Sequence, residues 1–435
     1  MKYNINHADI KEWAKNYDGP LFDGILCDPP YELGFMGKSW DSSGIAFDKD
    51  MWADILRILK PGGHLLAFSG SRTYHRMAVA IEDAGFEIRD MIEWVYGSGF
   101  PKSLNIGKAV DKLQGNEREV IGDNPNHRPN SPKDNTKGDF NPNSEGNKIL
   151  TKGNSPYEGY GTALKPAHEP CVLARKPLEK GMTVATNALK HGTGGLNIDG
   201  TRVGYTDEKD KNSAKPGSFN YSDDSTAGYV ALSTRQKLKD NWQQPTGRFP
   251  ANFIHDGSDE VEAVFPDTKG GKFTQKTRKR DKGWGNSSPG DGVEAIDNYG
   301  DSGSASRFFY TAKASKSERN AGLEGFEEKE REMMAQMGQG NTPQQTPHQN
   351  TPQANHHPTV KPLSLTKYLA TLIKPPTGGR LLVPFSGSGS EMIGALQAGW
   401  EYVEGVELTE EYIPIAEARI KYWLDKIDNE PLTLL

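Results

Sequence analysis

Ile25-Leu26-Cys27-Asp28-Pro29-Pro30-Tyr31 closes an apolar run that begins at Phe22, and the change of character at Asp28 decides how the chain is read. Phe22 to Cys27, with Asp23 and Gly24 inside it, has the length and bounding signals of a buried strand. The two prolines cannot continue a hydrogen-bonded ladder, so they stop the strand and stiffen the turn that follows. Asp28 and Tyr31 are thereby held at a strand's carboxyl end, where open α/β sheets bind their ligands. A plainer reading is a proline-terminated strand edge with a capping aspartate. The rest of the chain decides between the two.

The 435 residues can bury one large core or two smaller ones, but only 34% are hydrophobic, with 48 glycines and 28 prolines. That composition predicts one well-packed domain carrying a substantial loop-rich insertion. A formal net charge of −6 neither advertises nor excludes nucleic-acid binding, because a local basic face is what meets phosphates. The cysteines, Cys27 and Cys171, both lie in apolar strand-like runs without metal-ligand spacing, as expected of reduced core residues in a cytoplasmic protein. Met1-Lys2-Tyr3-Asn4 does not begin a signal peptide, and no apolar run has membrane-spanning length.

Upstream of the opening stretch, Tyr3 to His7 reads as a strand and Asp9-Ile10 as the start of a short helix through Trp13. Asp9 is either that helix's cap or a cofactor contact beside the next strand's end. Downstream, Leu33 to Asp41 is a glycine-hinged loop carrying Phe35, Lys38 and Trp40, either a substrate-contacting element or a packed surface loop. Met51 to Leu59 has helical periodicity, ended by Lys60-Pro61-Gly62-Gly63. His64 to Phe68 is a second buried strand, Arg72 to Ala84 a helix, and Phe86 to Trp94 a strand. His64 and His75 have no partner at ligand spacing and read as structural. Alternating strands and helices predict a parallel, doubly wound sheet.

The patterning then weakens. Gly115 to Lys165 is rich in Asn, Pro, Gly, Ser and Lys and reads as a mobile insertion, before His168 to Lys176 returns as a strand. Thr186 to Val203 is glycine-punctuated and expected to be irregular, and Gly204 to Asp240 is polar and expected to be mobile. The one clear basic cluster is Lys272, Lys276, Arg278, Lys279, Arg280 and Lys282, interleaved with Phe273 and Trp284. Cations among stackable rings suit a nucleic-acid backbone and its bases, although a solvated charged face is equally expected of such a run. Met333 to Asn355 is Gln-, Pro- and Thr-rich, the composition of a flexible linker.

Order resumes at His357-Pro358-Thr359-Val360-Lys361-Pro362-Leu363 and an amphipathic helix, Leu365 to Ile373. A strand, Arg380 to Pro384, runs into Phe385-Ser386-Gly387-Ser388-Gly389-Ser390, and Glu391 to Ala398 is helical. Strand, glycine turn and helix make a backbone-lined cradle for a nucleoside cofactor. The turn lacks the third glycine of the dinucleotide fingerprint and is weak by itself. It is strengthened by Tyr402 to Glu407, a second strand ending in an acid about twenty residues on, where nucleotide-binding units accept ribose hydroxyls. Glu407 could otherwise cap the helix that follows, Leu408 to Lys426.

Together these pieces resemble the amino-group DNA methyltransferases, the adenine-N6 and cytosine-N4 enzymes that use S-adenosylmethionine. Asp28-Pro29-Pro30-Tyr31 matches their catalytic motif, Phe385-Ser-Gly-Ser-Gly389 their cofactor turn, and His357 to Leu363 the segment preceding it in one subgroup. Catalytic motif first and cofactor motif last is the circularly permuted order of the β class. Gly34 to Lys38, Gly97 to Lys102, Gly247 to Asn252 and Arg307 to Lys313 resemble a phage and bacterial branch of it.

The resemblance implies a permuted Rossmann-like sheet, with residues 1–110 as the catalytic half and 356–435 as the cofactor half. It further implies a mobile insertion at 111–165, a returning strand at 166–180, a loop-rich target-recognition region at 181–330 and a linker at 331–355. Asp28 and the Pro29 carbonyl would grip the target amine, with Pro30 completing the motif and Tyr31 stacking on an extruded base. Asp9, Ile10, Asp28, Thr359, Lys361, Phe385, Ser386, Gly387, Ser388, Gly389 and Glu407 would surround S-adenosylmethionine. Lys38 and the basic cluster would meet double-stranded DNA. A homodimer and a cognate restriction enzyme are the further partners this family brings, and neither a metal nor a covalent enzyme intermediate is required. Asp in the first motif position favours adenine-N6; cytosine-N4 is the alternative, ahead of a protein-amide or RNA methyltransferase and of a non-catalytic DNA-binding relic. One departure stands out: Val383 occupies a position where the family usually has an acid, which makes Glu391 a candidate replacement.

Overall fold

The computed structural model describes residues 2–33, 43–99, 103–123, 149–213, 244–269, 302–312, 315–328 and 354–429. Among them, nine strands form one sheet: β1 (Lys2–His7), β2 (Phe22–Cys27), β3 (Leu59–Phe68), β4 (Glu87–Val95), β5 (His168–Arg175), β6 (Phe253–His255), β7 (Tyr310–Thr311), β8 (Arg380–Val383) and β9 (Tyr402–Glu407). Their spatial order is β1-β9-β8-β2-β3-β5-β4-β6-β7. Every neighbouring pair runs parallel except the two made by β5, which lies antiparallel between β3 and β4. The expected parallel sheet therefore holds with one inverted strand.

The permutation is visible in that order. β8 and β9, from the carboxyl end of the chain, insert between β1 and β2. From β2 the chain winds one way across the sheet, and from β8 it winds the other, so the switch point lies between β8 and β2. Crevices at the carboxyl ends of strands open at such a point.

Side chains alternate between the two faces along each strand. Ile25 and Cys27 join a core under the helices Ile10–Asn16, Lys49–Arg57 and Tyr74–Asp83. Leu26 joins the core of the opposite face, under Leu363–Leu372, Ser390–Gln397 and Ile413–Asn429. Both cysteines are free and buried. The polar residues inside β2 are also accounted for. Asp23 is buried, accepting from Lys60 Nζ at 2.6 Å and from the Arg380 N–H at 2.8 Å, which ties β2 to β3 and β8. Gly24 leaves room for the Trp400 ring: a Cβ there would lie 3.0 Å from it.

Two expectations are corrected. Lys60-Pro61-Gly62-Gly63 does not end a helix but belongs to β3, the helix having stopped at Arg57. Lys176 draws these residues into the sheet, its carbonyl accepting from Gly62 N–H and its own N–H donating to Gly63. Val184–His191, read as irregular, is a helix opened by a Thr183/Thr186 capping box and closed by Gly192 at φ 79°. Its glycines terminate the helix rather than break it.

Two short strands lie within the insertion expected at 111–165, and a helix leads into it. Ile106–Gln114 is a helix, and Glu119–Asp123 pairs antiparallel with Ile149–Lys152. Arg118 binds Glu158 and Asp111 beneath that ribbon. The sheet also extends into the region expected to recognise the target, which supplies β6 and β7. The linker core at 331–353 lies outside the described residues, as does 124–148. No helix among the described residues is long and apolar enough to cross a membrane.

Candidate functional site

A cavity of about 1080 Å³ opens at the carboxyl ends of β2 and β8, and both motifs line it. On one side stand Asp28, Pro29, Pro30 and Tyr31, and on the other Phe385, Ser386, Gly387 and Ser388. Asp9, Ile10, Thr359, Lys361 and Glu407 also face it. Gly389 sits behind the wall, capping the helix Ser390–Gln397 at φ 81°. Lys38 and the six basic residues from Lys272 to Lys282 lie outside the described residues.

The catalytic-motif side is a hydrogen-bonded knot of four ionisable groups. Lys361 Nζ donates to Asp28 Oδ2 at 2.6 Å and to the Tyr31 hydroxyl at 3.0 Å, and lies 3.1 Å from Glu169 Oε2. Tyr31 in turn donates its own hydroxyl hydrogen to Glu169 Oε2 at 2.7 Å. Lys361 is almost wholly buried, with its ammonium 4.7 Å from the centroid of the Phe68 ring. Burial works against its charge, but the Asp28 and Glu169 carboxylates outweigh that and hold its pKa above the ordinary value. The Tyr31 phenol is pushed well up by burial and by the Asp28 and Glu169 carboxylates, so it stays protonated. With Oδ2 engaged, Asp28 Oδ1 is left buried without a hydrogen-bond partner. Such an orphaned acceptor is costly unless something arrives to satisfy it.

The turn after the motif is held independently. Thr73 Oγ1 donates to the Tyr31 carbonyl at 2.7 Å. Glu32 takes the left-handed φ of 55°, rare outside glycine, with its carboxylate accepting from the Gly44 N–H at 2.8 Å.

The glycine-turn side is equally fixed. Gly387, at φ 49°, donates its N–H to Glu407 Oε2 at 2.7 Å, while Thr409 N–H donates to Oε1 at 2.8 Å. A Cβ on Gly387 would sit 2.8 Å from His357 Nε2, so only glycine fits between turn and ring. Glu407 thus both caps the turn that follows β9 and faces the cavity. Burial raises its pKa, against the opposing pull of the two N–H donors. Ser386 Oγ is buried without a partner. Asp9 also combines both readings, capping its helix through the Lys11 N–H at 2.8 Å while lining the cavity.

Two residues, Glu169 and Arg419, escaped the sequence reading. Glu169 lies in β5, far from either motif in sequence, and nothing local marks it. Arg419, wholly buried, donates to the Ser388 carbonyl at 2.5 Å and to Ser390 Oγ at 3.2 Å, bracing the glycine turn from below. Burial lowers Arg419 to about 10 even though Glu391 and Glu318 oppose it. Lys361, expected beside the cofactor, lines the cavity and also binds Asp28. Glu391 is buried in the first turn after the glycines and lines the same cavity; burial and the nearby Asp28 charge raise it to about 7.

Asp9, Asp28, Glu169, Glu391 and Glu407 thus stand on a largely apolar cavity wall, where carboxylates can meet a cationic ligand, and Ser386 Oγ is an unused polar atom at the glycine turn. These features fit a sulfonium cofactor at one end and an amine at the other.

A sequence profile of the N6/N4 family, described as DNA methylase, matches residues 22–418. The type II methyltransferase M.HindIII of Haemophilus influenzae is 26% identical over 142 residues, which are 32% of this chain and 35% of that protein. The chain thus matches about a third of the length of this curated relative. The M1.HpyAVI–SAM complex aligns over 96% of this chain and 99% of its own at 13% identity and a TM-score of 0.37. The cytosine-N4-specific PvuII DNA methyltransferase aligns over 99% and 94% at 10% identity and a TM-score of 0.41.

Proposed function

We propose that this chain, which belongs to the N6/N4 DNA methylase family, transfers a methyl group from S-adenosylmethionine to the exocyclic N6 of adenine in duplex DNA. The observation that carries the reading is the meeting of Asp28, with its partnerless Oδ1, and the Phe385–Gly389 turn in one cavity.

An exocyclic amine is a poor nucleophile because its lone pair is delocalised into the ring. Asp28 Oδ1 and the Pro29 carbonyl accept its two hydrogens and draw the nitrogen towards tetrahedral geometry. Proline fixes the second acceptor, so the polar groups need no reorganisation during reaction. Bound at the glycine turn, S-adenosylmethionine supplies an electrophilic methyl carbon. As the nitrogen bonds the methyl carbon, the carbon–sulfur bond would break with its electron pair left on the neutral thioether product, and Asp28 Oδ1 is placed to take the surplus proton from the cationic nitrogen. Tyr31 provides the ring on which an extruded base stacks, because the target atom is out of reach within a duplex. Gly387 and Ser386 would approach the cofactor closely, Glu407 would accept from its ribose, and Asp9 and Ile10 would flank its adenine.

Asp28→Ala is expected to retain cofactor affinity by calorimetry and to lose methyl transfer to duplex DNA, in keeping with the removal of the amine acceptor. Transfer at the wild-type rate in that variant would remove Asp28 from the chemistry. Tyr31→Ala is expected to lose both rate and base binding, whereas Tyr31→Phe, which keeps the ring, is milder. Equal losses in the two would contradict the stacking role. Aspartate at the first motif position favours adenine over cytosine, and identification of the methylated nucleoside distinguishes them.

A further inference from the structure

We infer that Glu169 is a positioning residue of the methyl-transfer site, one that fixes Lys361 and the Tyr31 hydroxyl so that Asp28 presents Oδ1 alone to the amine. The inference rests on the function proposed above and extends it to a residue outside both motifs.

Lys361 Nζ donates to Asp28 Oδ2 and to the Tyr31 hydroxyl, and it forms an ion pair with Glu169 Oε2 at 3.1 Å. These three contacts hold the ammonium in place, and with it the carboxylate oxygen it binds. Without Glu169 the Lys361–Asp28 pair would remain, but the Tyr31 hydroxyl would lose its acceptor and the ammonium one of its contacts. Glu169 also settles the charge of the knot. Lys361 alone neutralises only Asp28; the second carboxylate leaves one negative charge across the cluster, facing the cationic nitrogen that methylation creates. Glu169 lies in β5, the inverted strand, and β5 pairs with β3 and β4 through most of its length, so its backbone is a rigid mount. A site built on a strand holds its geometry more tightly than one built on a loop. Small displacements of a reacting group cost roughly tenfold to a hundredfold in rate.

Glu169→Gln, which keeps the side chain's volume and removes its charge, is the test, read by single-turnover transfer of labelled methyl groups to duplex DNA. The expected result is cofactor affinity within about twofold of wild type, with a transfer rate lower by roughly tenfold or more. Combined with Tyr31→Phe, which deletes the hydroxyl that Glu169 holds, the two losses are expected to be less than multiplicative, because both disturb one cluster. A transfer rate in Glu169→Gln within about twofold of wild type overturns the inference, and so do losses that multiply independently in the double variant. Should Glu169→Gln fail to fold, Glu169→Asp decides. That variant keeps the charge and withdraws it by one methylene, and an unchanged rate in it overturns the inference while a selective loss of rate supports it. If the wild-type protein transfers no methyl group to DNA at all, it is the underlying function that fails, not the placement of Glu169.

Discussion

Glu391 shows at the scale of one residue how the cavity is charged. Its folded-state pKa is raised from 4.5 to about 7, by burial first and by the Asp28 charge second. The folded protein therefore keeps the proton over a range in which the unfolded chain has released it. Bound protons are more numerous in the folded state between about pH 4.5 and 7, so this residue's contribution makes stability fall as pH rises through that window and stay level above it. His64 and His357 act in the opposite sense, each lowered from 6.5 to about 4 chiefly by burial, so their contribution is lost as pH falls through that range. The comparison that isolates Glu391 is the difference in melting temperature between Glu391→Gln and wild type, both without cofactor. It is expected to move in the variant's favour from pH 5 to 7.5, and a difference independent of pH would contradict the assignment. At this scale the sequence disclosed the residues that sit in runs with an identifiable chemistry, Asp28 to Tyr31 and Phe385 to Gly389. It did not disclose Glu169 or Arg419, because their partners come from distant strands and helices and leave no local pattern. Lys361 was visible within its motif, yet only the folded geometry turns its ammonium towards Asp28.

Among the elements, the buried strands were legible because short, largely apolar runs between turn signals leave few alternatives, as in Phe22–Cys27 and Tyr402–Glu407. Glycine-rich stretches were not. Lys60 to Gly63 and the helix Val184–His191 depend on hydrogen bonds from Lys176 and on a threonine capping box, whose effects composition hides. Glycine also has a packing function between the helices Leu363–Leu372 and Ser390–Gln397. A Cβ on Gly394 would meet Thr366 Oγ1 at 2.3 Å and the Lys367 backbone nitrogen at 2.6 Å. Gly394→Ala must push these helices apart, and overpacking of this kind costs about 1–3 kcal/mol. Denaturant titration is expected to show that loss at an unchanged slope, and a stabilised variant would mean that the helices are not in close contact. Since Ser390–Gln397 starts at the glycine turn, cofactor affinity is expected to weaken along with stability.

For the whole molecule the decisive fact is topological. Strand β2, which leads into Asp28-Pro29-Pro30-Tyr31, and strand β8, which leads into the glycine turn, pair side by side although almost the full chain separates them, with Leu381 beside Gly24 and Leu382 beside Ile25. The order of motifs in the sequence pointed to this permutation, while the inverted β5 and the sheet strands donated by residues 253–255 and 310–311 emerged only from the fold. They come from short segments whose pairing is fixed by neighbours rather than by their own periodicity. One cavity joins the two motifs as a result, and the account stands or falls on what is made there. Duplex DNA incubated with the purified protein and methyl-labelled S-adenosylmethionine, then digested to nucleosides and resolved by mass spectrometry, measures it directly. The account predicts labelled N6-methyladenine from the wild-type protein and none from Asp28→Ala. Label in N4-methylcytosine would reassign the base, and DNA without label in any amino group would contradict the account.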